Sequence, residues 1–249
     1  MQGIKLILLH TCCAPCGLSA IERLLHEKNE VTIFFSNSNI FPEEEFQKRL
    51  YYAEKLANFY NVALIRGIYD YEAWKKRVLG CGTDAAGGGA ATRTQCLGAP
   101  QNMESTRKAS ADLENEPERG KRCSACFGFN LERTAEKARE LAIPFFTTSL
   151  TVSPHKDSAQ IFGVGRNLPV FSAKRALPSA TSSPQGWEGS PPVFPAKRAL
   201  ASEGSPPVFL ECDFKKQNGF FRSLELSKKL DFYRQDYCGC EFSRTKSRL

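Results

Sequence analysis

The stretch Lys5-Leu6-Ile7-Leu8-Leu9-His10-Thr11-Cys12-Cys13-Ala14-Pro15-Cys16 joins an apolar run to three closely spaced thiols. Gly17 to Lys28 (GLSAIERLLHEK) follows, with Leu18, Ile21, Leu24 and Leu25 at helical spacing. A short apolar run of this kind, Lys5 to Leu9, reads as a buried parallel strand. The thiols therefore occupy the loop entering a helix. In open α/β sheets such loops lie at the carboxyl ends of the strands, where ligands bind, and a helix amino terminus favours anions such as thiolates. Two adjacent side chains on an extended backbone point apart, so Cys12 and Cys13 are expected to serve two neighbouring centres.

Outward from this unit, Val31 to Ser36 (VTIFFS) predicts a second buried strand ending in the turn-rich Asn37-Ser38-Asn39-Ile40-Phe41-Pro42. Glu43, Glu44 and Glu45 open a helix through Phe59, their carboxylates suiting its positive end. Phe46, Leu50, Ala53, Leu56 and Ala57 form its apolar face, with Lys48, Arg49 and Lys55 expected in solvent. Val62 to Ile65 is a third strand, followed by a short helix around Trp74. Alternating strands and helices predict an α/β fold with a Rossmann-like parallel sheet and flanking helices.

Residues 80–116 lose this pattern and are expected to form a flexible insertion in a single domain spanning 1–249. Cys81 and Cys96 lie there without partners at metal-ligand spacing and read as free thiols. Regular structure resumes with a helix from Asn130 to Leu141, approached through Cys123-Ser124-Ala125-Cys126. Pro144 to Leu150 is a strand, and Ser153-Pro154-His155-Lys156-Asp157 a loop opening a helix from Ser158 to Phe162. A low-complexity insertion over 167–207 holds an internal repeat: Pro169 to Leu177 returns nearly unchanged as Pro192 to Leu200. Two proline-rich copies do not make a solenoid. Val208 to Phe214 then reads as a strand with Val208, Leu210, Cys212 and Phe214 on one side, which makes Cys212 a core residue. A last helix, Leu224 to Tyr233, precedes Tyr237-Cys238-Gly239-Cys240.

The 249 residues carry a formal net charge of +7, compatible with a polyanionic partner but not diagnostic of one. The longest apolar run is far short of the roughly 20 residues a spanning helix needs, and no signal-peptide pattern follows it. Ten cysteines without an export signal read as metal ligands in a reducing compartment, which places the chain in the cytoplasm. No G-x-x-x-x-G-K-[ST] and no G-x-G-x-x-G follows a strand, which argues against ATP-driven tRNA modification.

Setting aside Cys81, Cys96 and Cys212 leaves Cys12, Cys13 and Cys16; Cys123 and Cys126; Cys238 and Cys240. A cubane cluster and a structural zinc each take four thiolates, so this set exceeds one closed site and falls short of two. A metal with an open position beside a redox cluster is a catalytic arrangement. Zinc knuckles in a non-catalytic RNA-binding module are the alternative, but adjacent and C-x-C thiols suit multinuclear iron better than a zinc ribbon.

Five ordered motifs carry a resemblance: HTCCAPC from His10, ERGKRCSACF from Glu118, TTSLTVSPHK from Thr147, Asp213-Phe214-Lys215-Lys216, and YRQDYCGC from Tyr233. Together they resemble the cobalamin-independent epoxyqueuosine reductases from the first strand to Ser243, interrupted by the two inserts. The resemblance implies a HUP-like fold and a 4Fe-4S cluster beside a mononuclear iron. It also implies reduction of epoxyqueuosine to queuosine at the wobble position of tRNAs with GUN anticodons (Tyr, His, Asp and Asn), with electrons from an unidentified donor. All seven cysteines are assigned to the metal pair, Cys16 being the best candidate for the second iron because its spacing sets it apart. His155, Asp157, Tyr237 and Asp213 are candidate proton donors. His10 could orient a ligand from behind or simply close the strand end. Arg119, Lys121, Arg122, Lys156, Lys215, Lys216 and Arg234 could form a phosphate-binding rim, with Phe127 or Tyr237 stacking on the flipped-out base.

Overall fold

The first strand is apolar on both faces because helices cover both. In the computed structural model, which describes residues 3–79, 113, 116–168 and 206–244, β1 (Leu6–His10) is the middle strand of a five-stranded parallel sheet. Its neighbours are β2 (Glu30–Phe35) and β4 (Phe145–Thr148), with β3 (Ala63–Arg66) and β5 (Val208–Phe209) at the edges. Leu8 pairs with Thr32 on one side and Phe146 on the other. Ile7 and Leu9 bury against Leu18, Ile21 and Leu24 of α1 (Ala14–His26). Leu8 faces the other way, into a cluster with Leu131, Ala135 and Ala138 of α4 (Lys121–Glu140). α2 (Glu43–Tyr60) and α3 (Tyr71–Leu79) follow β2 and β3.

The order β3-β2-β1-β4-β5 puts a topological switch point between β1 and β4, where α/β sheets open a crevice at the carboxyl ends of the strands. Two chain segments leave the sheet there. One carries Cys12 and Cys13 into α1; the other runs from β4 through a 3-10 turn (Ser149–Val152) and the loop at His155 into α5 (Ser158–Arg166). α6 (Gly219–Lys229) packs along α1, and α7 (Glu241–Arg244) follows the last cysteines.

Several expected boundaries move, each for a local reason. The fourth strand stops at Thr148 because its hydroxyl caps the 3-10 turn through the Leu150 amide. β5 is consequently two residues long, not seven, since its partner strand has turned away. Thr147 and Thr151 hydroxyls donate to the Leu210 and Cys212 carbonyls (2.8 Å each) in place of a ladder. Val208 is exposed rather than sharing a buried face with Phe214, while Cys212 packs against the core. α4 begins nine residues before the expected Asn130, so Cys123 and Cys126 belong to its first turns rather than to its approach. α6 spans 219–229 instead of 224–233, ending before Asp231, which adopts a left-handed conformation. The expected inserts, with Cys81 and Cys96, lie largely outside the described residues. No helix among the described residues is long and apolar enough to cross a membrane.

Candidate metal centre

Pro15 at the second helical position and Cys13 as the residue before the first turn start α1, which leaves Cys16 among the unbonded amides of that turn. Cys12, Cys13 and Cys16 place their sulfurs within 4.8 Å of one another, with Cys12 Sγ donating to Cys13 Sγ at 3.8 Å. The adjacent pair thus brings its sulfurs together instead of pointing them apart. Side chains alternate only while the backbone stays extended, and here Cys13 is the last extended residue before the helix turns the chain.

Hydrogen bonds from Cys12 and Cys16 hold the Cys13 thiol well below the ordinary range, favouring one thiolate in the set. Hydrogen bonding with Cys12 and Cys13, followed by burial, pushes Cys16 well up. Beneath them His10 is fully buried, and that burial lowers the pKa of its imidazole. Asn37 donates through Nδ2 to the Thr11 carbonyl (2.9 Å), so its Oδ1 accepts from His10 Nε2 (3.2 Å), and Nδ1 pairs with the Thr148 hydroxyl (2.9 Å). His10 therefore ties the ends of β1 and β4 to the backbone that carries Cys12.

Cys123, Cys126, Cys238 and Cys240 line a cavity beside this set, with Asn39, Trp74, Glu118, Arg119, Arg122, Phe127, His155 and Lys156. Some of its sulfurs receive donors from the surroundings. The Arg119 amide reaches Cys123 (3.3 Å) and Trp74 Nε1 reaches Cys126 (3.3 Å), whereas Cys240 Sγ itself donates to Ser243 Oγ (3.5 Å). Burial pushes all three thiols up, Cys126 well up and Cys240 to about 11, with the neighbouring Cys238 adding to both. A metal group loading here must displace protons, so its hold weakens as pH falls.

Zinc with four thiolates at about 2.3 Å brings sulfurs to roughly 3.8 Å of each other. Among the described residues, only Cys12, Cys13 and Cys16 bring three such ligand atoms within 4.8 Å of one another. Cys123, Cys126, Cys238 and Cys240 instead share the wall of one cavity. The two sets share one core cluster, in which Cys12, Cys13 and Phe127 are buried and Cys16 and Cys123 pack against them.

A family model described as epoxyqueuosine reductase QueH matches residues 7–93, 89–179 and 195–246, spanning every one of these thiols. The chain belongs to the epoxyqueuosine reductase QueH family. Proteins named epoxyqueuosine reductase QueH that are similar to it include those of Streptococcus pyogenes serotype M1 (30% identical, over 95% of this chain and 69% of that one) and Haemophilus influenzae (28%, over 97% and 73%). The Thermotoga maritima protein of the same name is 27% identical over 97% of this chain and 92% of its own.

Within this QueH chain, the structure sorts the expected proton donors. His155 lines the cavity. Asp157, Asp213 and Tyr237 do not: Asp157 caps α5 by accepting from the Ala159 amide (2.8 Å), Asp213 accepts from Ser158 Oγ (3.0 Å), and the Tyr237 hydroxyl donates to the Phe41 carbonyl (2.8 Å). Of the expected rim, Lys121, Lys216 and Arg234 are exposed, and Lys215 Nζ is bonded to the Lys156 carbonyl. Arg122 is 3% exposed, donates to the Leu113 carbonyl and stacks on Phe242, so it is a buried wall residue rather than a rim residue. Lys156 sits inside the thiol field. Burial would lower its ammonium, but Cys238, Cys12, Cys16 and Cys13 outweigh this and raise it. Sequence reading missed Trp74 as a sulfur donor and Arg49 as a buried cation. For Arg49 a signal existed, since it falls three residues after Phe46 and four before Ala53, on the apolar face.

Proposed function

We propose that this chain reduces the epoxide of epoxyqueuosine on tRNA to the alkene of queuosine, with its thiols divided between two metal groups. Family membership makes it an oxidoreductase of queuosine biosynthesis. In our reading Cys123, Cys126, Cys238 and Cys240 hold a 4Fe-4S cluster, and Cys12, Cys13 and Cys16 hold the adjacent iron with one position open to substrate. The observation that supports this division is geometric: Cys12, Cys13 and Cys16 are tight enough for a single ion, while the other four thiols line a cavity in which N–H donors reach Cys123 and Cys126. Bound there, the cluster would supply electrons singly and the iron would act as a Lewis acid toward the epoxide oxygen.

The protein's own groups do the rest. The overall change consumes two electrons and two protons per epoxide and releases the oxygen as water, so protons must reach a largely dry site. His155 and Lys156 are the titratable nitrogens on the cavity wall, and we assign them to proton delivery and charge balance. Arg119 holds their loop by donating to the His155 (2.9 Å) and Pro154 (3.3 Å) carbonyls. Phe127 and Trp74 close the wall and keep water from it. We take the substrates to be tRNAs with GUN anticodons in the cytoplasm, steered by exposed Lys121, Lys216 and Arg234.

Metal analysis of protein purified without oxygen tests the division. About five irons and four labile sulfides per chain are expected. Cys16→Ser should lose one iron and keep its sulfide, whereas Cys126→Ser should lose the sulfide, and both should fail on epoxyqueuosine-containing tRNA. Zinc at about two per chain without sulfide would refute the reductase reading.

A further inference from the structure

Arg49 lies on the core face of α2 with 1% of its surface exposed, and it does not line the cavity. Its Nε donates to Glu45 Oε1 (2.6 Å), while Nη1 and Nη2 donate to the carbonyls of Cys238 (3.0 Å) and Tyr237 (3.4 Å). Its guanidinium also stacks 5.1 Å from the centre of the Tyr237 ring. The far side of the same loop is closed by the Phe41 amide, which donates to the Gly239 carbonyl at 2.8 Å. Gly239 has φ of +128°, and a Cβ there would stand 3.0 Å from Arg49 Nη1 and 3.2 Å from Ile40. The guanidinium thus fills the space a side chain would take. A lysine could neutralise Glu45, but only a planar fork reaches the carbonyls of two successive residues at once. Burial would lower the Arg49 pKa, yet the nearby thiols Cys13 and Cys12, together with Glu45, outweigh it. Its charge is held between Glu45 and the backbone of Cys238.

We propose that Arg49 is the positioning residue of the last thiol pair: its fork holds the Cys238-Gly239-Cys240 loop in register, and its charge, buried against that loop, offsets that of the loaded thiolates. This rests on the assignment of Cys238 and Cys240 as cluster ligands.

The test uses full-length protein purified without oxygen, as wild type, Arg49→Lys and Arg49→Gln. Readouts are hydrogen exchange at the Phe41 amide, which only the loop protects, labile sulfide per chain, and reduction potential. In Arg49→Lys, Phe41 should exchange at least about tenfold faster and sulfide should fall, while the potential of the remaining cluster stays near wild type. Arg49→Gln should show the same exchange with a potential shifted negative, because the cation is gone. Unchanged exchange and sulfide in both variants would overturn the positioning role, and a wild-type potential in Arg49→Gln would overturn the charge role. If wild-type protein itself carries no labile sulfide, the cluster assignment fails. The hold on the loop is then decided by Phe41 alone, faster exchange in Arg49→Lys supporting it and unchanged exchange overturning it.

Discussion

Trp74 shows how much a single side chain can set. It is 1% exposed, and its indole N–H points at Cys126 Sγ from 3.3 Å. A donor aimed at sulfur stabilises the more negative, reduced state of any cluster bound there. Trp74→Phe should therefore lower the reduction potential and, by leaving a void, remove about 1–3 kcal/mol of stability. Potentiometric titration beside a thermal melt separates the two effects, and an unchanged potential would remove the donor role. At this scale sequence was generous with cysteines and poor with their partners. Thiol spacing is local, whereas the contacts of Trp74, Arg49 and Arg122 are made across the fold, with residues far away in the chain.

Elements were legible where their apolar period was sustained. β1, α1, β2 and α2 came out within a few residues of their expected limits, because each buries a continuous face against the next. β5 and α6 did not, since their ends are set by what β4 does and by a left-handed residue, neither visible as periodicity. The junction of α5 and β5 offers a check on how tightly these late elements fit. A Cβ on Gly165 would overlap the Phe209 ring, so Gly165→Ala should cost about 1–3 kcal/mol. The loss should show in chemical denaturation while iron and sulfide per chain stay at wild-type values. A neutral outcome would mean that β5 yields easily.

For the whole molecule, the charge excess becomes meaningful only once the exposed cations are located. Lys121 begins α4, whose first turns carry Cys123 and Cys126, while Lys216 and Arg234 belong to the segment leading to Cys238. Neutralising Lys121 and Lys216 together to Gln should weaken tRNA binding and reduce the slope of log affinity against log salt by about 1 to 2. An unchanged slope would place the phosphate contacts elsewhere. Sequence named these cations correctly as cations but could not separate them from Arg122, which the fold buries.

The switch point between β1 and β4 also governs when the site can exist. Its walls come from residues near 12, 123, 155 and 239, brought together by a sheet in which every neighbouring pair is parallel. Such pairings join distant parts of the chain and form slowly, after the costly closure of long loops. The thiols therefore come together only once these long-range pairings have closed.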